Sequence, residues 1–233
     1  MNYTIISDSQ GGPLNVIDLT QFIAPDMPVY PGTEGPSITD ATSIAADGFA
    51  EKLLTMYSHT GTHMDAPGHM LAGRLTLDQF PVDKFVGQAV VVDLTARLRG
   101  TVSVGELEPL AGYIRGSEFV LFHTGWSLKW GSDEYFDGFP TLSEEAARWL
   151  CGFGLKGIGF DCISVDPVGA SPMVIHEIVL GHDLVIIENL RGLAPLAGRK
   201  FLFSCLPLKI RDSDGSPIRA VGIIADDGGD KGD

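Results

Sequence analysis

Ser58-His59-Thr60-Gly61-Thr62-His63-Met64-Asp65-Ala66-Pro67-Gly68-His69 is the densest stretch of chemistry in the chain. Gly61 and Pro67 oppose a helix here. In an extended chain, side chains alternate faces with period two. Positions 59, 63 and 65 then share one face, and Gly61 on that face carries no side chain to crowd them. On a helix His59 and His63 would align but Asp65 would point elsewhere. Imidazole with carboxylate suits zinc, and also manganese or iron. Two histidines and one aspartate are too few to close a site. Further ligands must come from elsewhere, or the metal keeps open positions as catalytic sites do.

A second segment, Ser171 to Asn189, offers candidates. Glu188 ends an apolar run, and a buried charge is costly unless it is paired or coordinates a metal. His176 lies on a short, apolar stretch that reads as a helix and could face the same place. Each residue has a plain alternative. A lone histidine on an apolar segment is more often a satisfied core residue, Glu188 could pair with Arg191, and Asp65 could cap a turn before Pro67. Taken together, beside His-x-x-x-His-x-Asp with matching parity, they favour a metal site.

The rest of the chain sets the class. Its 233 residues suggest one domain, expected over 1–225, with 226–233 an acidic, disordered tail. Lys and Arg total 16 against 30 Asp and Glu, a formal charge of −14. Such a surface disfavours nucleic acid and anionic lipid as partners. Three widely spaced cysteines form neither a disulfide framework nor a zinc ribbon, and read as reduced core residues. Neither a signal peptide nor a membrane-spanning run is evident, so a cytoplasmic location is expected.

Strand-like runs recur at 14–19, 88–94, 118–123, 157–161, 184–188, 200–210 and 218–224. Helix starts are expected at a Thr141-Leu-Ser-Glu144 capping box, at Ser103-Val-Gly-Glu106, and at Ser171-Pro172 as N-cap and first helical residue. Asp212-Ser-Asp-Gly215 reads as a hairpin-type turn. Strands outnumber helices without strict alternation, which points to a mixed α/β fold.

The motif from His59 to His69 resembles the signature of the cyclase-like metal-dependent hydrolases, a family that includes bacterial kynurenine formamidases and isatin hydrolases. Met27-Pro-Val-Tyr30-Pro-Gly32, Thr124-Gly-Trp126, Gly159-Phe-Asp161 with Ser164-Val-Asp166, Glu188-Asn-Leu190, and Pro207-Leu208 followed by Gly215-Ser-Pro-Ile-Arg219-Ala220 resemble it further. The resemblance implies a swivelling β/β/α fold with a mixed sheet, a homodimer or homotetramer, and one or two ions per subunit, Zn2+ or Mn2+. It implies His59, His63 and Asp65 as ligands of a first metal. Asp65, His176 and Glu188 would hold a second, with Asp65 and Glu188 able to bridge. His69 would be the general acid/base and Tyr30 part of a substrate-lining loop.

The activity so implied is hydrolysis of a C–N bond in an amide, formamide or lactam of a small aromatic or cyclic carbonyl compound. A lactone or ester hydrolase, or a non-catalytic metal-dependent binding protein, are the alternatives. No Gly-x-Ser-x-Gly elbow offers a serine nucleophile. Trp126, with Trp130, Tyr135, Phe136 and Phe139, could line a pocket for a planar substrate or pack as a loop or oligomer contact. His123 reads as a strand-end or supporting group, and His182, in a Gly-His-Asp turn, as exposed.

Overall fold

The structure is a computed structural model that describes residues 6–7, 13–97 and 100–225; the acidic segment 226–233 lies outside the described residues. Among the described residues ten strands form one sheet in the order Ile6–Ser7, Pro13–Asp18, Val221–Ala225, Lys200–Ser204, Val86–Asp93, Phe119–His123, Gly157–Phe160, Val185–Glu188, His63–Asp65, Gly215–Pro217. The four strands from Val86–Asp93 to Val185–Glu188 run parallel to one another. The flanking pairings are antiparallel. The fold is therefore a mixed α/β one, as the uneven spacing of strands and helices suggested.

The parallel strands carry unbroken apolar runs because both of their faces are covered. On one face Val90, Val120, Phe122, Ile158, Phe160 and Ile186 meet the helices through Leu107, Ile114, Leu150 and Val179. On the other, Val91, Phe119, Leu121, Val185 and Ile187 pack against Met64, Leu190, Phe201 and Phe203. The sheet is thus the middle layer of two cores. Cys162 and Cys205 are buried, Cys151 is half-buried, and all three are free. Among the described residues no helix is long and apolar enough to cross a membrane.

Several local expectations change. Helix Glu144–Cys151 is capped by Ser143, whose hydroxyl accepts from the Ala146 N–H at 3.1 Å. Thr141 instead belongs to a short strand that pairs with Thr101–Val102. The capping box at Ser103 and Glu106 is present. Helix Val174–Gly181 starts beyond Ser171-Pro172. The carboxylate of Asp166 does the capping there, accepting from the N–H groups of Ile175 (3.0 Å) and His176 (2.9 Å).

The run 200–210 ends as a strand at Ser204. The segment around Asp212 is not a tight hairpin turn: Gly215–Pro217 leaves to pair with His63–Asp65, and the chain returns at Val221 to pair with Lys200–Ser204. Backbone bonds to the metal-motif region, from Ala66 N–H to Asp214 O (2.8 Å) and from Leu77 N–H to Ser213 O (2.9 Å), hold that excursion in place. A separate hairpin, Ser37–Thr42 with Glu51–Thr55, carries no strand alternation strong enough to have been anticipated.

Candidate metal centre

The short strand His63–Asp65 is buried at all three residues and paired on both edges. Alternation sends Met64 into the core and leaves His63 and Asp65 together on the opposite face. Register places Glu188 across from His63. The His63 Nε2 then lies 3.4 Å from Glu188 Oε2 and 3.4 Å from Asp65 Oδ1. Its other nitrogen donates to the Gly61 carbonyl at 2.9 Å. That bond leaves Nε2 as the nitrogen that faces the carboxylates.

His59 joins them by a different route from the one its parity suggested. The chain is not extended between 59 and 62: Gly61 turns it with φ +65°. A Cβ at Gly61 would also stand 3.1 Å from the Ile23 side chain. The turn still delivers His59, with Nδ1 2.7 Å from Asp65 Oδ1. Gly215 makes this possible from the other side, since a Cβ there would meet the His59 ring at 2.5 Å.

His176, buried on its helix, brings Nε2 to 3.3 Å from Glu188 Oε1 and 3.8 Å from Asp65 Oδ2. Its Nδ1 is 2.7 Å from Asp166 Oδ2. His59, His63 and Asp65 form one group, and Asp65, His176 and Glu188 another, whose ligand atoms all lie within 4.8 Å of one another. The two trios share Asp65. His69, on the turn after the strand, stands over the pair with its ring centroid 4.0 Å from that of His59. All six candidates for ligation and proton transfer therefore meet in one place.

Asp65 and Glu188 are buried carboxylates, and among the described residues neither Lys nor Arg lines the cavity they face. Desolvation opposes a charge on His59, but the Asp65 and Asp214 carboxylates overcome it and raise the imidazole to about 9. His176 is likewise desolvated, and Asp166, Glu188 and Asp65 raise it to about 10. Burial would raise Asp65, yet the surrounding imidazoles hold it well below the usual carboxylate range. For Glu188, burial and the Asp65 charge both act upward, and His176 and His63 outweigh them. The site thus asks for positive charge, which the raised imidazoles of His59 and His176 supply. A divalent cation meets the same demand, and imidazole nitrogens with carboxylate oxygens are a donor set that zinc and manganese accept.

The cavity above the cluster has a volume of about 450 Å3, with walls that include Val29, Tyr30, Tyr57, Met70, Ile163 and Met173. Tyr30 does line it, and its hydroxyl accepts from the Gly169 N–H at 3.0 Å. Trp126 does not. It is buried in the core, its indole N–H donates to the Tyr135 carbonyl at 3.0 Å, and the Lys129 ammonium sits 3.7 Å over its ring. Buried, with its N–H bonded to protein and a cation over its ring, it leaves no surface for a substrate. The aromatic segment supports the centre from behind instead: Tyr135 OH donates to Asn189 Oδ1 (2.8 Å), and Asn189 Nδ2 donates to the Gly61 carbonyl (2.8 Å).

His123 ends its strand 3.8 Å from Asp93, outside this cavity. His182 is exposed, its Nδ1 2.8 Å from the Ile178 carbonyl. Three residues of the centre escaped the sequence reading of the site. Asp166 and Asn189 stand in family-like blocks but show no ligand spacing. Asp214 was hidden in what read as a turn; its one signal is that it directly precedes Gly215, the residue that must lack a side chain beside His59.

Comparison with known proteins places the chain among relatives. The putative cyclase family matches residues 17–167. A kynurenine formamidase of Erythrobacter litoralis (strain HTCC2594) is 32% identical over 209 residues, covering 88% of this chain and 91% of that protein. Isatin hydrolase A from Ralstonia solanacearum superposes with a TM-score of 0.81 at 27% identity, over 91% of this chain and 92% of its own. A potential metal-dependent hydrolase with cyclase activity superposes with a TM-score of 0.77 at 29% identity, over 91% and 99% respectively. The chain belongs to the cyclase-like hydrolase family.

Proposed function

We propose that the protein is a metal-dependent hydrolase that cleaves a C–N bond in an amide, formamide or lactam of a small aromatic or cyclic carbonyl compound. The observation that carries this reading is the convergence of two buried carboxylates and three imidazoles in one cavity whose other walls are largely apolar. His59, His63 and Asp65 would hold one ion, and Asp65, His176 and Glu188 a second, with Zn2+ or Mn2+ the ions this donor set suits. When bound, such an ion polarises a carbonyl and acidifies water.

The chain's own residues supply the rest. The apolar walls accept a flat ring and exclude bulk water. Tyr30, fixed by the Gly169 N–H, borders the opening. His69 takes the proton from the attacking water and returns it to the leaving nitrogen, so that amide and water become carboxylic acid and amine. Its Nδ1 lies against Asp214 at 3.2 Å, and among the described residues no hydrogen bond engages Nε2, the nitrogen available for that exchange.

The charge of −14 supports a small-molecule partner over a polyanion, and the cytoplasm is the proposed location. We also propose a homodimer or homotetramer, supported by the exposed Ile44, Phe49, Leu53 and Leu54 around the separate hairpin, beside a cavity that Tyr57 borders.

The test is metal quantification on freshly purified protein, then a turnover screen with the metal found. N-formylkynurenine, isatin, cyclic imides and lactones make up the panel. Turnover of a C–N substrate that disappears on chelation supports the proposal. Metal-free protein that still turns substrate over, or turnover of lactones alone, overturns it.

A further inference from the structure

Asp214 is a half-exposed aspartate at the rim of the metal centre, and one of its oxygens faces two imidazoles. Oδ2 lies 3.1 Å from His59 Nε2 and 3.2 Å from His69 Nδ1. The other oxygen, Oδ1, accepts from the Ser58 hydroxyl at 3.0 Å. The Asp214 carbonyl accepts from the Ala66 N–H at 2.8 Å, so the backbone is tied to the metal strand as well. Gly215 follows immediately, and its missing side chain is what lets this segment close onto the His59 ring. The aspartate is thus fixed from its backbone and from both side-chain oxygens.

A carboxylate can only accept, so each imidazole must present an N–H to it. A histidine that donates from one nitrogen carries a lone pair on the other. With an ion bound against Asp65, a His59 that keeps its Nε2–H on Asp214 would offer Nδ1, the nitrogen facing Asp65, as the ligand atom. His69, donating from Nδ1, is left with its lone pair on Nε2. One carboxylate therefore selects the ligating tautomer of His59 and the proton-accepting tautomer of His69 at once. Metal-binding histidines are commonly oriented by such carboxylates, whose loss weakens metal binding by about 10–100-fold. Here the same oxygen also aims the group assigned to proton transfer.

We propose that Asp214 is a positioning residue that sets the tautomer and orientation of both His59 and His69, coupling metal affinity to proton transfer. This rests on the metal-hydrolase reading above, but two of its tests need no substrate. The holoenzyme, Asp214→Ala and Asp214→Asn are compared. Asn keeps the size and one acceptor, so it guards against a variant that simply fails to fold.

Zn2+ affinity, measured by competition with a chelator, is expected to fall about 10–100-fold in Asp214→Ala with ion stoichiometry unchanged. Nitrogen-15 NMR of the histidine rings is expected to show the fixed tautomers of His59 and His69 becoming mixed in both variants. Where a substrate has been found, kcat at saturating Zn2+ is expected to fall about 10²-fold or more with KM within a few-fold of the parent. Asp214→Asn is expected to recover part of the metal affinity and less of kcat, since its neutral carbonyl oxygen accepts from the two imidazoles more weakly than a carboxylate does.

Unchanged affinity and unchanged tautomers would overturn the proposal, whether or not any substrate is known. A loss of one ion from the stoichiometry would overturn it differently, by making Asp214 a ligand in the group His59, His69 and Asp214. If tautomers and affinity change as expected while no substrate is ever hydrolysed, the positioning role stands and the hydrolase reading falls.

Discussion

Glu188 and Asp161 are buried carboxylates at the carboxyl ends of neighbouring parallel strands. Their surroundings drive them in opposite directions. Asp161 meets neutral donors: the N–H groups of Thr124 (3.0 Å) and Gly125 (2.9 Å) and the Thr124 hydroxyl. Burial pushes its pKa up in spite of them and of His123, whose weaker pull also acts downward. Glu188 faces the imidazoles of His63 and His176, which hold it down against both burial and the Asp65 charge. Burial of an acid is common to both. What differs is whether the partners are neutral and already complete the shell, or are titratable and exchangeable for a cation. Asp161 ties down the loop that carries Trp126, and Glu188 forms the wall of the metal centre.

Substitutions should separate the two most sharply in metal content and turnover. Asp65, shared by both ligand trios, has the largest expected effect: Asp65→Asn should remove most bound metal and lower kcat/KM by about a thousandfold or more, the scale of a lost metal contribution of several kcal/mol. Glu188→Gln should follow closely, with loss of at least one ion by elemental analysis if two are bound. His69→Ala should keep the full metal content and lose about 10²–10⁴-fold in kcat. Full turnover in that variant would remove His69 from the chemistry. Asp161→Ala should do the reverse of all three. It orphans two backbone donors, at about 1–3 kcal/mol each, so urea denaturation should show a clear loss of stability while metal per subunit stays constant. Loss of metal in Asp161→Ala would erase the distinction between the two carboxylates.

The same contrast explains which parts of the molecule could be anticipated. The parallel strands are written as apolar runs because each is covered twice, so 119–123, 157–160 and 185–188 fall within a residue or so of expectation. His63 and Asp65 follow from strand parity. His59 reached the right place by a turn that parity could not express, because a left-handed Gly61 looks like any other glycine in a sequence. Asp166 and Asp214 act through contacts of long sequence separation, 10 residues to His176 and 145 to His69. No local pattern encodes such contacts; only the assembled sheet does. Trp126 shows the converse. An aromatic cluster is equally suited to a pocket and to a core, and the indole N–H found its acceptor inside the protein.

The smallest expected effect is a drift of stability with pH, and its sign depends on whether metal is present. In the metal-stripped protein, His59 and His176 are raised to about 9 and about 10, above the value of about 6.5 that an imidazole has in an unfolded chain. Raised folded-state values mean that their contribution is complete below about pH 6.5 and is lost as pH climbs through 9 and 10. Asp65 and Glu188 are lowered, so their contribution is present above the ordinary carboxylate range and is lost as pH falls through it into strong acid. Stripped protein should therefore lose thermal stability by several degrees between pH 7 and pH 10. In metal-loaded protein the two imidazoles, as proposed ligands, would be deprotonated, so this source of loss would be absent and the gap between the two melting temperatures should widen over the same interval. Asp161, answered by neutral donors, supplies no such difference between the two forms. Parallel melting curves for loaded and stripped protein across that range would show that the protons on His59 and His176 do not occupy the metal's place.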